Sequence, residues 1–329
     1  MSEKLRATIR GLGAYLPEKV LTNFDIEKMV DTTDEWIRSR TGIRERRIAK
    51  QGESSSDLGL GASLVALRQA GLKAEDLDLI IVATVTPDML FPSTACAIQA
   101  KLGARCGAFD MAAACSGFPY ALSVADAFIR SGTYRNILVV GSEVLSGFID
   151  WSDRSTCVLF GDGAGAAVVS RSEAGEGGIL ATYLGADGTQ RDVLQIPAGG
   201  SIHPASEETL RGRMHYLKMQ GSEVFKIAVR TMEDAVREVV KMASLELSNV
   251  SLFIPHQANM RILQAVADRL ELPLEKFFIN VDRYGNMSSA STIVALCEAA
   301  EEGRIKKGDK VLLVAFGGGL TWASALIQW

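Results

Sequence analysis

Two apolar runs separated by 59 residues, Ile80 to Val139, are matched later in the chain by a second pair separated by 60, Phe253 to Leu313. The stretch leading into the last run of each pair is also alike. Arg130-Ser-Gly-Thr-Tyr-Arg-Asn-Ile-Leu-Val-Val stands against Glu302-Gly-Arg-Ile-Lys-Lys-Gly-Asp-Lys-Val-Leu-Leu-Val. Both leave a helical stretch at a glycine, cross a polar turn and enter an apolar strand. An offset of about 172 residues carries one arrangement onto the other. A fused duplication explains this better than the ordinary repetition of α/β units. The expected halves are residues 1–172 and 173–329, joined near Ser172–Gly178. Leu77–Val85, Ile137–Gly141, Val250–Ile254 and Val311–Phe316 are apolar on both pleat faces and read as buried strands. Tyr120–Arg130 and Thr292–Glu302 read as helices between them. The alternation predicts an α/β fold with mostly parallel sheet.

Composition narrows the function. With 35 basic and 39 acidic residues the chain has a net charge of −4, which argues against a nucleic-acid-binding surface. No apolar run approaches the roughly 18–20 residues of a membrane span, so no membrane partner is expected. Met1 to Arg10 carries charges with no apolar signal core behind them, and the five cysteines form no CxxC pair. Both point to reduced thiols in a cytoplasm. Three histidines make a His-rich metal site a poor expectation, and no metal is expected. Gly11-Leu-Gly13 and Gly161-Asp-Gly-Ala-Gly165 lack the full dinucleotide fingerprint, which excludes NAD. Cys96, Cys106, Cys157 and Cys297 lie in apolar or helical surroundings and are expected to be core thiols. His203 and His215 fall in the polar stretch Gly199–Gly221, expected to be a surface loop or cap.

Cys115 is the first candidate for chemistry. Phe109-Asp-Met-Ala-Ala-Ala-Cys-Ser-Gly-Phe118 runs from a strand-like approach through small residues into a helical stretch. A cysteine at a helix start faces unpaired N–H groups and the positive end of the dipole, both of which favour thiolate. On this segment alone an inert buried cysteine is equally consistent. Two further segments tip the balance. His256, in Ile254-Pro-His-Gln-Ala-Asn-Met-Arg-Ile262, directly follows a predicted strand, where open α/β sheets present functional side chains. Asn286, in Tyr284-Gly-Asn-Met-Ser-Ser-Ala-Ser291, lies at another strand-to-helix junction, and the duplication places its turn opposite Cys115. A cysteine with a histidine and an asparagine from other segments suits covalent acyl transfer.

The AAACSGF, HQANMRI and YGNMSSAS segments and the ending Phe316-Gly-Gly-Gly-Leu-Thr-Trp322 resemble the β-ketoacyl-acyl-carrier-protein synthase III family of the thiolase superfamily. The entry segment Asp31-Thr-Thr-Asp-Glu-Trp-Ile-Arg-Ser-Arg-Thr-Gly-Ile-Arg-Glu-Arg46 and Phe160-Gly-Asp-Gly-Ala-Gly-Ala166 fit the same pattern, so the likeness covers essentially the whole chain. It implies a thiolase-like five-layered αβαβα fold of two pseudo-symmetric halves. It also implies an acyltransferase that starts type II fatty acid synthesis, joining an acyl-CoA (acetyl-CoA above all) to malonyl-acyl carrier protein through an acyl-Cys115 intermediate.

The roles of individual residues follow from the same likeness. Backbone N–H groups of Cys115 and Gly318 would form the oxyanion hole, and His256 and Asn286 would hold the enolate left by decarboxylation. Thr32, Trp36, Arg40 and Arg154 would meet CoA, with Phe225 and Asn259 lining the pantetheine path. Arg261 and Lys226 would attract the acidic acyl carrier protein. The family often has two basic residues where this chain has Asp268-Arg269, which weakens that patch. No cofactor is implied, since acyl-CoA and malonyl-acyl carrier protein are substrates. A homodimer is implied, with Phe91 reaching across the twofold to gate the partner's acyl pocket; the alternative places Phe91 in its own subunit's core. Two rivals remain. A non-catalytic scaffold would be signalled by loss of Cys115, His256 or Asn286, and a condensing enzyme of a quinolone or polyketide pathway would take an unusual acyl-CoA.

Overall fold

The computed structural model describes residues 5–173 and 176–329. Of the expected join at 172–178, residues 174 and 175 lie outside the described residues, as do residues 1–4 of the N-terminal segment. Nine strands build two sheets. The first contains β1 (Ala7–Tyr15), β2 (Leu79–Ala83), β3 (Gly107–Met111), β4 (Asn136–Glu143) and β5 (Gly163–Arg171), in the order β3-β2-β4-β5-β1. The second contains β6 (Gly178–Ala186), β7 (Leu252–Pro255), β8 (Lys310–Gly317) and β9 (Thr321–Gln328), in the order β7-β8-β9-β6.

The two orders correspond strand for strand. In each sheet the predicted pair runs parallel, β2 with β4 and β7 with β8. The next two neighbours are antiparallel, β5 and β1 in one sheet, β9 and β6 in the other. The place of β3 is held in the second sheet by a single parallel bridge, Phe253 to Phe277. The four expected strands are all present. Leu77–Val85 is trimmed to Leu79–Ala83: the Thr84 N–H still bonds Met111 O of β3 at 3.2 Å, but Val85 N turns away to the Glu143 carboxyl. The sheets are mixed rather than mostly parallel.

Seven helices matter for the site. They are α1 (Asp34–Thr41), α2 (Ser55–Ala70), α3 (Thr94–Leu102), α4 (Gly117–Arg130), α5 (Gly221–Met242), α6 (Met260–Arg269) and α7 (Ser289–Glu301). The strands alternate as period 2 requires. Ile81 and Val139 face an inner core shared with Phe118 and Leu122 of α4, Ile293 and Leu296 of α7, and Leu313 of β8. Ile80, Val82, Leu138 and Val140 face an outer core with Leu58, Ala62 and Ala66 of α2 and Ile98 of α3. On the far side Leu312, Val314 and Leu326 pack on Met232, Val236 and Val239 of α5 and Val266 of α6. Both faces of each sheet are buried, hence the near-continuous apolar runs in the sequence. The result is five layers: α2 and α3, sheet, α4 and α7, sheet, α5 and α6.

Local signals fix the outer helices. Ser54 and Asp57 close a capping box at the start of α2, and Gly71 ends it in a left-handed conformation. Gly11 and Gly13, the partial dinucleotide motif, have a packing role: a Cβ there would stand 2.3 and 2.2 Å from the Ala66 and Ala62 carbonyl oxygens of α2. Cys157 and Cys297 are buried as expected, whereas Cys96 is exposed and Cys106 only half-buried. The short α3 turns Cys96 outward, and helical surroundings did not reveal which face it occupies. His203 is exposed, and His215 bonds the Thr209 hydroxyl within the capping stretch. Among the described residues no helix is long and apolar enough to cross a membrane, and no cluster of three His, Cys, Asp or Glu could hold a metal.

Candidate active site

The three candidate side chains stand at ends of the secondary structure that meet in the middle layer. β3 ends at Met111, and the chain turns through Ala114, whose φ is +45°, into a short 3-10 turn carrying Cys115 and then into α4. His256 follows β7, and its N–H continues the parallel ladder by bonding the Val314 carbonyl at 2.7 Å. Asn286 is set against Phe160: its N–H bonds Leu159 O at 2.8 Å, and its carbonyl accepts from Gly161 N at 3.0 Å. Gly285 permits this approach, because a Cβ there would lie 2.7 Å from Leu159 O at a φ of +63°. The Asn286 Oδ1 accepts the Ser288 N–H at 2.8 Å. The amide nitrogen is thereby left to donate elsewhere.

Cys115, His256 and Asn286 line one cavity of about 630 Å³. Exposed Arg40 and Lys226 also line it, so it runs from the surface to the buried thiol. A second cavity of about 280 Å³ meets the thiol from another side, walled by Val85, Leu145, Phe160, Ile196 and Leu217, with Ser288 and Gly318 beside Cys115. Gly317 fits only as glycine, since a Cβ would stand 2.5 Å from the Cys115 nitrogen.

Electrostatics correct one expectation. A helix terminus was expected to hold Cys115 as thiolate, but burial pushes its thiol up to about 12; the Ser288 hydroxyl opposes this and Glu143 adds to it. A helix dipole is worth at most about 2 kcal/mol, roughly 1.5 pKa units, and burial outweighs it here. The resting group is therefore a thiol. Burial also holds His256 down to about 3, so its imidazole is neutral, with Nδ1 buried and unpartnered. The unfolded chain binds a proton at this histidine near pH 6.5, whereas the folded chain refuses it until about pH 3. Stability is therefore unaffected above pH 6.5 and lost as pH falls below it. His256→Asn should remove this loss, so that the unfolding free energy of wild type falls more steeply than the variant's by about 1.4 kcal/mol per pH unit. Denaturant titrations of both proteins at pH 7, 6 and 5 measure it; parallel slopes would contradict a neutral buried His256.

The remaining candidates divide. Trp36 and Arg40 line the first cavity with Phe225, Asn259, Arg261 and Lys226. Arg154 and Arg40 lie over the Trp36 ring at 4.9 and 5.7 Å, and Arg154 also donates to the Asp31 carbonyl beside Thr32, whose Oγ1 is buried without a partner. Asn259 caps α6 by accepting from Arg261 N at 2.8 Å. Arg261 stacks over Phe225 at 5.9 Å, and Lys226 pairs with Glu223 at 2.9 Å. Phe91 is not brought to the site of its own chain. It is 85% exposed, which overturns the alternative of an own-subunit core residue.

The sequence pattern of 3-oxoacyl-[acyl-carrier-protein] synthase III matches residues 109–188, and that of its C-terminal part matches residues 240–329. A β-ketoacyl-[acyl-carrier-protein] synthase III of Caldanaerobacter subterraneus subsp. tengcongensis is 58% identical over all of this chain and 99% of its own length. The chain belongs to the β-ketoacyl-[acyl-carrier-protein] synthase III family. A solved synthase III from Aquifex aeolicus is 53% identical, covering 98% of this chain and all of its own, with a TM-score of 0.90. The priming β-ketosynthase of the R1128 polyketide pathway is 36% identical, covering all of this chain and 98% of its own, with a TM-score of 0.91. The thiolase-like fold and the acyltransferase class of synthase III are thus those of this chain.

Within the synthase III frame, the sequence left two site residues unnoticed. Ser288 has a φ of +46° and a buried hydroxyl beside the thiol. Glu143, the last residue of β4, is fully buried behind it. The strained serine sits inside the YGNMSSAS segment, which was the available signal; nothing local marks the glutamate.

Proposed function

We propose that the protein performs the decarboxylative condensation that starts type II fatty acid synthesis, priming Cys115 from an acyl-CoA, expected to be acetyl-CoA, and extending it with malonyl-acyl carrier protein. The observation that carries this reading is Cys115 standing where two cavities meet. One is lined by Trp36, Arg40, His256 and Asn286, and the other is small and apolar. The first accommodates a pantetheine arm reaching inward from a surface-bound nucleotide or carrier. The second accommodates a short acyl chain.

In the first half-reaction the Cys115 thiol gives up its proton as its sulfur attacks the thioester carbon. The bond from that carbon to the CoA sulfur breaks, and CoA leaves as the free thiol carrying a proton. The Cys115 and Gly318 N–H groups stabilise the oxyanion. In the second, the malonyl C–CO₂ bond breaks, and neutral His256 and Asn286 donate to the enolate oxygen. The enolate carbon attacks the acyl-Cys115 carbonyl, and the thiol is released with a β-ketoacyl-carrier product. Trp36 between Arg40 and Arg154 suits adenine stacking, with Thr32 beside it, and Phe225 and Asn259 flank the pantetheine. Every step runs on these side chains and two thioester substrates, without a cofactor. Lys226 and Arg261 remain the carrier-docking candidates. Arg269 is engaged with Glu233 and Asp268 with Gln264, so the patch stays narrow.

The same reading takes residues 1–172 and 173–329 as two fused halves, the first carrying the nucleophile, and places the enzyme in the cytoplasm. It also takes the enzyme as a homodimer. Met89, Leu90 and Phe91 are 53, 83 and 85% exposed in succession, and Asp88 fixes the tip by accepting from Ser56 N at 2.9 Å. A held apolar tip suits insertion into a second copy. Phe91→Ala should therefore shift acyl-CoA preference toward longer chains while leaving the fold intact, as competition between acyl-CoAs will measure. A light-scattering mass near 35.3 kDa would remove the cross-subunit gate.

Offering the enzyme a mixed acyl-CoA pool and weighing the acyl group left on Cys115 tests the assignment. Acetyl supports the start of fatty acid synthesis. A longer or unusual acyl group would move the protein toward the secondary-pathway reading that its likeness to the R1128 synthase favours.

A further inference from the structure

Glu143 is 0% exposed at the end of β4, where the two halves of the site touch. Its Oε2 accepts from the Thr84 and Thr86 hydroxyls at 3.3 and 2.7 Å and from Val85 N at 3.1 Å. Its Oε1 lies 2.8 Å from the Ser289 hydroxyl and 3.4 Å from Ser289 N. These partners are hydroxyls and backbone amides; none is a cation. The same Ser289 hydroxyl is also 2.8 Å from the Ala83 carbonyl oxygen.

Counting protons decides what these contacts can be. The Ser289 hydroxyl has one proton, and the Ala83 carbonyl can only accept. If Glu143 were a carboxylate, both neighbours of Ser289 Oγ would be acceptors competing for that proton. One of two buried acceptors at 2.8 Å would then face bare oxygen. A proton on Oε1 resolves the conflict: Oε1–H donates to Ser289 Oγ, which donates to Ala83 O, while Oε2, as the carbonyl oxygen, keeps its three donors. Every group in the chain is then satisfied, as burial demands.

We infer that Glu143 is held as a neutral carboxylic acid whose proton, on Oε1, ties the Asn286–Ser289 turn to the end of β2. This makes it a positioning residue for both half-reactions. Thr84–Thr86 lead into the wall of the acyl cavity, and Ser289 opens α7 directly after Asn286 and Ser288. The proton also removes a charge from behind the nucleophile. Burial without a cation pushes the Glu143 carboxyl up, in agreement. β2, β5, α2, α4 and α7 pack against β4. Among the described residues the titratable group that feels the Glu143 carboxyl is the Cys115 thiol, which a Glu143 charge would push further from thiolate. The inference rests on the assignment of Cys115 and the Asn286 turn above.

Glu143→Gln is the decisive variant, because an amide nitrogen at Oε1 donates to Ser289 as the acid proton does. Cys115 acylation and malonyl decarboxylation should both stay within about threefold of wild type, the size of one neutral hydrogen bond. A carboxylate would instead have made charge-assisted bonds, and Gln would then lose roughly tenfold to a hundredfold. Such a loss in a folded variant overturns the inference. Difference infrared spectra of full-length wild type and Glu143→Gln at neutral pH read the proton directly. A protonated-carboxyl stretch present only in wild type is expected, and a carboxylate band in its place is the contrary result. Glu143→Ala, which keeps neither donor nor acceptor, should lose decarboxylation. Should wild type fail to acylate Cys115, the functional assignment fails, while the infrared result still decides the protonation state.

Discussion

Cys115→Ala should abolish acyl transfer from acyl-CoA, with a fall of up to about a millionfold, the size found when a covalent nucleophile is deleted. Nothing else in the site can take its place. Cys157 and Cys297 are buried, and burial raises both thiols, the former to about 11. Neither they nor the exposed Cys96 line the cavities that hold Cys115. His256 and Asn286 are untouched by the substitution, so slow malonyl decarboxylation should persist, which controls for folding. Mass spectrometry of the peptide holding Cys115 should find the acyl group in wild type and none in the variant. An acyl adduct on Cys157 or Cys297 would sink the assignment.

The layers were legible because the same strand spacing occurs twice along the chain and the two sheets share one strand arrangement. Strands buried on both faces have to be apolar throughout, so Ile137–Gly141 and Val311–Phe316 announce themselves without an alignment. The helix flanking each must end at a glycine to turn back. What the sequence hid was direction. Parallel β2–β4 and antiparallel β4–β5 pairs draw on the same apolar residues, and only the connections distinguish them. Where the first sheet has β3, the second has only a single bridge at Phe277, and no composition marks that difference.

The site divides in the same way. Cys115 stands at a helix start and His256 at a strand end, and such junctions can be found by pattern. Asn286 instead follows a short helix, Val281–Tyr284, where a strand was expected, and meets Phe160 through a single bridge. The state of the thiol could not be found so, because it depends on how much protein covers it. A helix start argued for thiolate, and the burial that outweighs it exists only in the folded chain. Glu143 is hidden for a related reason. Its partners Thr84 and Ser289 are more than 50 and 140 residues away, and the conflict over the Ser289 proton exists only once they meet. Phe91 shows the opposite case: a large apolar residue whose exposure in one chain is what marks it.

His256→Ala and Asn286→Ala should each cut malonyl decarboxylation by about 10²–10³, the cost of removing one preorganised donor, or roughly 2.7–4 kcal/mol. Self-acylation of Cys115 should survive in both. The split follows from where each donor points. Asn286 commits its Oδ1 to Ser288 N and has only its amide nitrogen for substrate, on the cavity shared with His256. His256 stays neutral because burial forbids its charge, so it offers a single ring donor and no cation. Two neutral donors suit an enolate, which gathers charge on oxygen as CO₂ leaves. In the proposed mechanism the oxyanion of acylation is met by the Cys115 and Gly318 N–H groups, which neither variant alters. Measuring acyl-enzyme by mass spectrometry and CO₂ release from malonyl-acyl carrier protein, on the same preparations, separates the two steps. The raised Cys115 thiol gives the experiment a second edge, since its proton must leave during attack and neutral His256 is the base that shares its cavity. If acylation falls as far as decarboxylation in His256→Ala but not in Asn286→Ala, His256 takes that proton as well as holding the enolate. Equal loss of both steps in both variants would remove the division of labour altogether.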